Sequence, residues 1–252
     1  MNRIVFVTGA SSGFGKAIAE KFAAIGDHLI ITARRGDALQ SLKKDLETRF
    51  GIKVLSLEFD VRDKEVVFKT IENLPDEWKE IDILINNAGL ALGRDSFDSA
   101  SLDDWETMID TNVKGLLYVS KAIMPFFVRR NKGHIINMGS VAAKEVYDKG
   151  NVYCATKNAV ESISHSMRIE LLPHHIKVTA IHPGAAVTEF SMIRFKGDQE
   201  KADAVYTGFK PLSAEDVADT VLYCCNLPEH VCINDLVITP TAQADAIYIH
   251  RE

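Results

Sequence analysis

Tyr153 and Lys157 stand four residues apart in the run Tyr153-Cys154-Ala155-Thr156-Lys157, and Ser140 lies upstream, after the apolar run Ile135-Ile136-Asn137-Met138. On a helix, residues at i and i+4 share a face. A phenol ionises near ~10, too high to serve as a base at neutral pH. A cation ~4 Å away at an effective dielectric of ~20 is worth ~4 kcal/mol, which would bring Tyr153 toward ~7. General acid–base catalysis is efficient in that range. The Ser140 hydroxyl, at the end of its apolar run, is placed to hold the oxygen that gains or loses the proton.

A proton moved from an alcohol needs a companion that takes the hydride. The N-terminal run Thr8-Gly9-Ala10-Ser11-Ser12-Gly13-Phe14-Gly15 follows the apolar stretch Ile4-Val5-Phe6-Val7. Glycines between a strand and a helix permit a tight turn and let backbone N–H groups meet a pyrophosphate at the positive end of the helix. Gly9, Ser11, Ser12, Gly13, Phe14 and Gly15 are therefore candidate dinucleotide-binding residues. At the end of the next strand, an enzyme using NAD places an acid for the ribose 2′-hydroxyl. Here Thr32-Ala33-Arg34-Arg35 stands instead, with no acid until Asp37. Two guanidiniums suit a 2′-phosphate, so Arg34 and Arg35 favour NADP. Asp60 and Val61 are expected at the adenine, and Asn86-Asn87-Ala88-Gly89 along the crevice.

Short β-rich runs alternate with longer helical stretches, which predicts an α/β fold: a doubly wound, Rossmann-like parallel sheet of about seven strands. The expected strands are 4–8, 29–32, 54–57, 83–86, 134–138, 177–181 and 236–239. The expected helices lie near 14–25, 38–49, 64–73, 103–130, 153–171 and 214–226, with Asp37 and Ser213 as N-caps. Val113, Leu116, Leu117, Ser120 and Ile123 are expected to face the core. No repeat or linker divides the chain, so 1–252 reads as a single catalytic domain. Residues 183–212 break the rhythm, and such an insertion after a strand end is where an open sheet builds a ligand lid.

Together these motifs resemble the short-chain dehydrogenase/reductase family nearly end to end. Thr8 to Gly15 match its T-G-x3-G-x-G, Asn86 to Gly89 its N-N-A-G, and Asn112, Ser140, Tyr153 and Lys157 its catalytic set. The resemblance implies that Lys157 also binds the nicotinamide ribose and that Asn112 holds a water in the proton relay. It implies as well that Pro183, Gly184, Ala186 and Thr188 cradle the nicotinamide carboxamide, with Ala186 where a valine is common. A narrower resemblance, to NADP-dependent 3-hydroxy acid dehydrogenases, runs through Asp104 to Asn112, Glu189-Phe190-Ser191, Arg194 to Asp198 and the tail His250-Arg251-Glu252. It implies oxidation of serine, allo-threonine or related acids, or reduction of malonic semialdehyde. Between Val141 and Lys149 this chain carries more charge than that group leads one to expect. Arg194 is the expected partner of a substrate carboxylate, with Lys196 and Lys144 behind it, and Ser140 and Tyr153 the substrate's other contacts. Helix faces that form interfaces in the family imply a homotetramer.

The bulk properties agree. The 252 residues are 46% hydrophobic and 25% charged with a net charge of −6, which disfavours nucleic acid as a partner. No apolar stretch approaches the ~20 residues of a membrane span, and the first strand begins too early for a signal peptide to be expected before it. Cys154, Cys224, Cys225 and Cys232 have no zinc spacing and read as reduced thiols of a cytoplasmic protein. The eight histidines form no H-E-x-x-H pattern, so no metal is expected. His182, beside Pro183, reads as a structural or tuning residue, because the acid/base role is already filled. The competing readings are a reductase of another carbonyl, such as a 3-oxoacyl thioester reached through a basic patch, and an NADP-sensing binding protein without turnover.

Overall fold

The strands are aliphatic and β-branched runs. In the computed structural model, which describes residues 2–252, β1 (Ile4–Thr8) is buried at every position, as a central parallel strand covered on both faces must be. The chain continues through α1 (Gly13–Ala24), β2 (His28–Ala33), α2 (Gly36–Phe50), β3 (Val54–Glu58), α3 (Lys64–Glu72) and β4 (Ile81–Asn86). Then follow α4 (Leu102–Ile109), α5 (Leu116–Arg130), β5 (Gly133–Met138), α6 (Asn151–Glu170) and β6 (Ile176–Pro183). The short α7 (Phe190–Arg194) and α8 (Gln199–Ala204) precede α9 (Ala214–Cys225) and β7 (Asp235–Ile238). All seven expected strands are present, with ends shifted by at most two residues.

The strands pair in parallel as one sheet of order β3-β2-β1-β4-β5-β6-β7. The winding reverses between β1 and β4, so the crevice for a ligand opens at their carboxyl ends. Alternation along β1 divides the core. Val5 and Val7 join Phe22, Leu46 and Val217 under α1, α2 and α9, while Ile4 and Phe6 join Ile71, Ile123 and Phe127 under α3 and α5.

Ser213 caps α9 in a reciprocal capping box with Asp216, as expected. Asp37 does not cap α2. The helix already begins at Gly36 with Arg35 as N-cap, and Asp37 lies in its first turn, where its charge faces the positive helix end. The helix expected over 103–130 is interrupted by a π-helical stretch at Asp110–Gly115. Leu116, Ser120 and Ile123 face inward, but Leu117 is exposed. The 183–212 segment is pinned at its base: Val187 N–H donates to Leu212 O, and Leu212 N–H to Ala185 O.

Candidate active site

A cleft of about 430 Å³ runs from the glycine turn to the start of α6. Gly9, Ser11, Ser12, Gly13 and Phe14 line its floor. Gly9 takes a φ of 66°, which glycine adopts without strain. A Cβ on Gly15 would collide with the Gly9 carbonyl and with Asn87 Nδ2, so Gly15 supports the turn from below. Asn87 staples the two central turns: its N–H donates to Thr8 Oγ1, and its Nδ2 donates to Thr8 O and Gly9 O. Asn86 instead turns into the core, donating to Ser120 Oγ and Asn137 Oδ1. These glycine and staple positions leave a backbone-lined hollow at the N-terminus of α1, which fits a dinucleotide pyrophosphate.

The two arginines expected at a 2′-phosphate both line the cleft, but they differ. Arg35 spans from Ser11 Oγ, at 3.1 Å, to the lid residue Glu189, also at 3.1 Å. Arg34 is exposed at the rim and close enough to Asp60 to draw its carboxyl down. Burial raises the Asp60 carboxyl, but Arg62 outweighs that through its side chain and N–H, holding it below the usual range. Val61 and Asp60 both line the same end.

At the other end, Tyr153 and Lys157 reach the cleft from one face of α6. Both are buried. Lys157 Nζ donates to Met138 O at 2.8 Å and stands 6.0 Å from the centre of the Tyr153 ring. The expectation that Lys157 brings the phenol toward neutrality is therefore not met by this protein alone. Burial, reinforced by Tyr147, pushes the Tyr153 hydroxyl above its ordinary range, against the pull of Ser140 and Arg194. Burial likewise pushes Lys157 down, to about 8. Desolvation wins because the ammonium spends its shortest contact on a carbonyl and not on the phenol.

Ser140 is buried and N-caps the 3-10 turn Val141–Ala143 through Ala142 N–H. Asn112 sits in the π-helical stretch. Its Nδ2 donates to Leu90 O and Thr156 Oγ1, and its Oδ1 accepts from Leu90 N–H. The side chain thus locks α6 to the turn after β4. Such π insertions recur at functional sites because they turn a helix face without breaking it.

In the lid segment, Thr188 lines the cleft, while Pro183 ends β6. Gly184 and Ala186 frame the bend beside Gln243, whose Oε1 accepts from Ala185 N–H. The Ala186 carbonyl accepts from Tyr206 Oη. Arg194 is half-buried, its Cζ 5.6 Å from the ring centres of both Tyr147 and Tyr153. Nε donates to Gly93 O and Nη1 to Tyr147 Oη, both neutral oxygens. The two lysines expected behind it are spent elsewhere. Lys144 lies 2.6 Å from both Glu161 and Asp235, and Lys196 lies 2.8 Å from Asp104. Sequence reasoning missed Tyr147 and the tie from Glu189 to Arg35. An aromatic amid the charged residues between Ser140 and Tyr153 was the available signal for Tyr147.

A glycine-turn crevice at the switch point of a parallel sheet, meeting a Ser/Tyr/Lys group at its far end, defines a nucleotide-dependent oxidoreductase. The chain belongs to the short chain dehydrogenase family, whose model matches residues 3–199. It is 46% identical over 250 residues to the NADP-dependent 3-hydroxy acid dehydrogenase YdfG of Salmonella typhi, covering 98% of this chain and 99% of the relative. It is 43% identical to a sulfoacetaldehyde reductase of Chromohalobacter salexigens, over 97% and 96% of the two chains. A solved serine dehydrogenase complexed with NADP+ superposes with a TM-score of 0.93 at 46% identity, over 99% of this chain and 100% of that one. Among the described residues no helix is long and apolar enough to cross a membrane.

Proposed function

We propose that this chain is an NADP-dependent oxidoreductase of 3-hydroxy acids, one catalytic domain over 1–252 with 183–212 as its substrate lid. The observation that carries the substrate class is Arg194. A half-buried guanidinium whose contacts are the neutral Gly93 and Tyr147 oxygens keeps its charge for a ligand anion, and it stands over the Tyr153 ring. A carboxylate held there leaves the third carbon of the acid for the Ser140 and Tyr153 hydroxyls. The relatives named for 3-hydroxy acids and serine support the same reading.

In this scheme Gly9 to Gly15 and Asn87 hold the pyrophosphate, Asp60 and Val61 the adenine, and Pro183 to Thr188 the carboxamide. Lys157 holds the nicotinamide ribose, and Asn112 supports the proton path. NADP+, when bound, would supply the hydride acceptor. Ser140 orients the substrate oxygen and Tyr153 exchanges its proton. Arg34 is the free reader of the 2′-phosphate, since Arg35 already serves Ser11 and Glu189. Arg34→Ala is therefore expected to raise the KM for NADPH by about tenfold and leave NADH kinetics nearly unchanged. Equal efficiency of the unmodified protein with both cofactors would refute the preference.

Exposed Leu117, Ile109 and Ile169 on the outer helices support a homotetramer, and unpaired, largely buried thiols support a cytoplasmic setting. The acyl-carrier alternative is weakened, because Lys144 and Lys196, two of the four cations that with Lys149 and Arg194 would make its basic patch, are paired with acids. A sulfonated aldehyde is the second reading: Arg194 would pair with a sulfonate, and one relative is named for that substrate. A screen following NADPH absorbance with serine, allo-threonine, 3-hydroxypropionate, sulfoacetaldehyde and the methyl esters of the acids tests the assignment. Esters turning over as well as free acids would sink it.

A further inference from the structure

His182 is fully buried near the end of β6, against the peptide of Ser140. Its Nδ1 lies 3.1 Å from Ser140 O and 3.4 Å from Ser140 N. Its ring fills the space beside Gly139, where a Cβ would collide with it. Nε2 makes no well-directed hydrogen bond, yet it stands 2.8 Å from Asp235 Oδ1, the first residue of β7. The other oxygen of Asp235 binds Lys144 Nζ, which also binds Glu161 Oε1. Glu161 continues the stripe Tyr153, Lys157, Glu161 on one face of α6, with His165 a turn further on. A chain of charges therefore joins the peptide of Ser140 to the helix that carries Tyr153.

We propose that His182 is a positioning residue for Ser140, its ring oriented by Asp235 and holding the Ser140 peptide so that the hydroxyl faces Tyr153. Either neutral tautomer leaves one lone pair against an oxygen, Nδ1 against the neutral Ser140 O at 3.1 Å or Nε2 against the Asp235 carboxylate at 2.8 Å. The charged, closer oxygen repels more, so Asp235 selects the tautomer with its proton on Nε2. Nδ1 is then an acceptor for the Ser140 N–H. Burial, with Lys144 acting alongside it, keeps the ring in this neutral form at neutral pH, outweighing the opposite pull of Asp235, the Ser140 backbone and Glu161. Lys144, itself fixed by Glu161, stops the Asp235 carboxylate from rotating away. Asp235, Lys144, Glu161 and His165 are the charged or titratable groups that face this position from β7, the Ser140 turn and α6.

The inference rests on Ser140 and Tyr153 as the proton-handling pair and not on the identity of the acid. The test measures kcat and KM for the best screened substrate, and NADPH affinity by fluorescence, in His182→Leu, His182→Asn and Asp235→Leu. His182→Leu is expected to lower kcat by about tenfold with NADPH affinity within about twofold. The asparagine amide stands where Nδ1 does, so His182→Asn is expected to recover kcat to within about threefold of wild type. Asp235→Leu, on a partly exposed strand, is expected to fold and to cost about threefold. In a Ser140→Ala background each further loss should shrink below about twofold, because the effect passes through Ser140. Full leucine losses persisting in that background, or an asparagine variant no better than leucine, would overturn the proposal. Should the leucine variant at 182 not fold, asparagine and Asp235→Leu decide it: wild-type kcat in Asp235→Leu, or its loss undiminished by Ser140→Ala, would count against. A wild-type protein with no turnover of any substrate would instead refute the dehydrogenase reading.

Discussion

Replacing Tyr153 with phenylalanine is expected to lower kcat by about a thousandfold while NADPH affinity stays within about twofold. In the proposed scheme the hydroxyl exchanges the substrate proton, and the ring that packs near Phe190 is kept. Loss of one buried hydroxyl costs little stability, so the variant should remain folded. The direction of the pKa shift adds a second signature. Burial holds the Tyr153 phenol protonated through the neutral range, ready to donate to a carbonyl oxygen. Reduction should therefore fall as pH rises through the ionisation of the bound complex. Oxidation, which needs the phenolate, should rise over the same interval. Stopped-flow measurement of hydride transfer in both directions against pH checks this. A phenylalanine variant keeping more than a tenth of wild-type kcat would place the proton on another group, with Tyr147, which shares Arg194 with Tyr153, as the next candidate.

Arg194→Ala is expected to lower kcat/KM for a 3-hydroxy acid by about a hundredfold and to leave reduction of an uncharged ketone within about threefold. The pair it removes, a guanidinium against a carboxylate in a half-buried site, is worth about 2–3 kcal/mol, which corresponds to roughly that factor. Arg194→Lys should fall between, because an ammonium keeps the charge but not the planar fork. The contact from Nη1 to Tyr147 Oη holds the guanidinium beside the Tyr153 ring. Tyr147→Phe should therefore raise KM for the acid by about threefold without touching kcat. Steady-state kinetics on the free acid and its methyl ester separates the outcomes: the ester should distinguish wild type from Arg194→Ala poorly, the acid strongly. Equal loss on both would mean that Arg194 supports the lid and does not read the carboxylate.

Much of the fold was legible in the chain itself. The strands are short apolar runs, and the glycine turn, the Tyr153/Lys157 spacing and the Ser213 cap are local patterns whose geometry depends on a few neighbouring residues. Interactions at the scale of a turn or a helix face can be read from spacing, because the backbone allows few arrangements there. The Asp37 cap failed on a similarly local point, since α2 starts one residue before it, at Gly36.

Only the tertiary structure decided which charges are free and which are spent. Arg34 and Arg35 are adjacent and alike in sequence, yet Glu189 engages one of them from across the cleft. Lys144 stood behind Arg194 as a candidate for an anion until Asp235 and Glu161 took the lysine. His182 and Asp235, fifty-odd residues apart, meet because β6 and β7 pair in register. The same holds for the Tyr153 phenol, whose proton affinity follows from how completely the fold removes it from water and where Lys157 spends its contacts. Spacing fixes the chemical groups available, but Coulomb energy and desolvation depend on three-dimensional distance and burial, which remote segments supply only once the chain has packed.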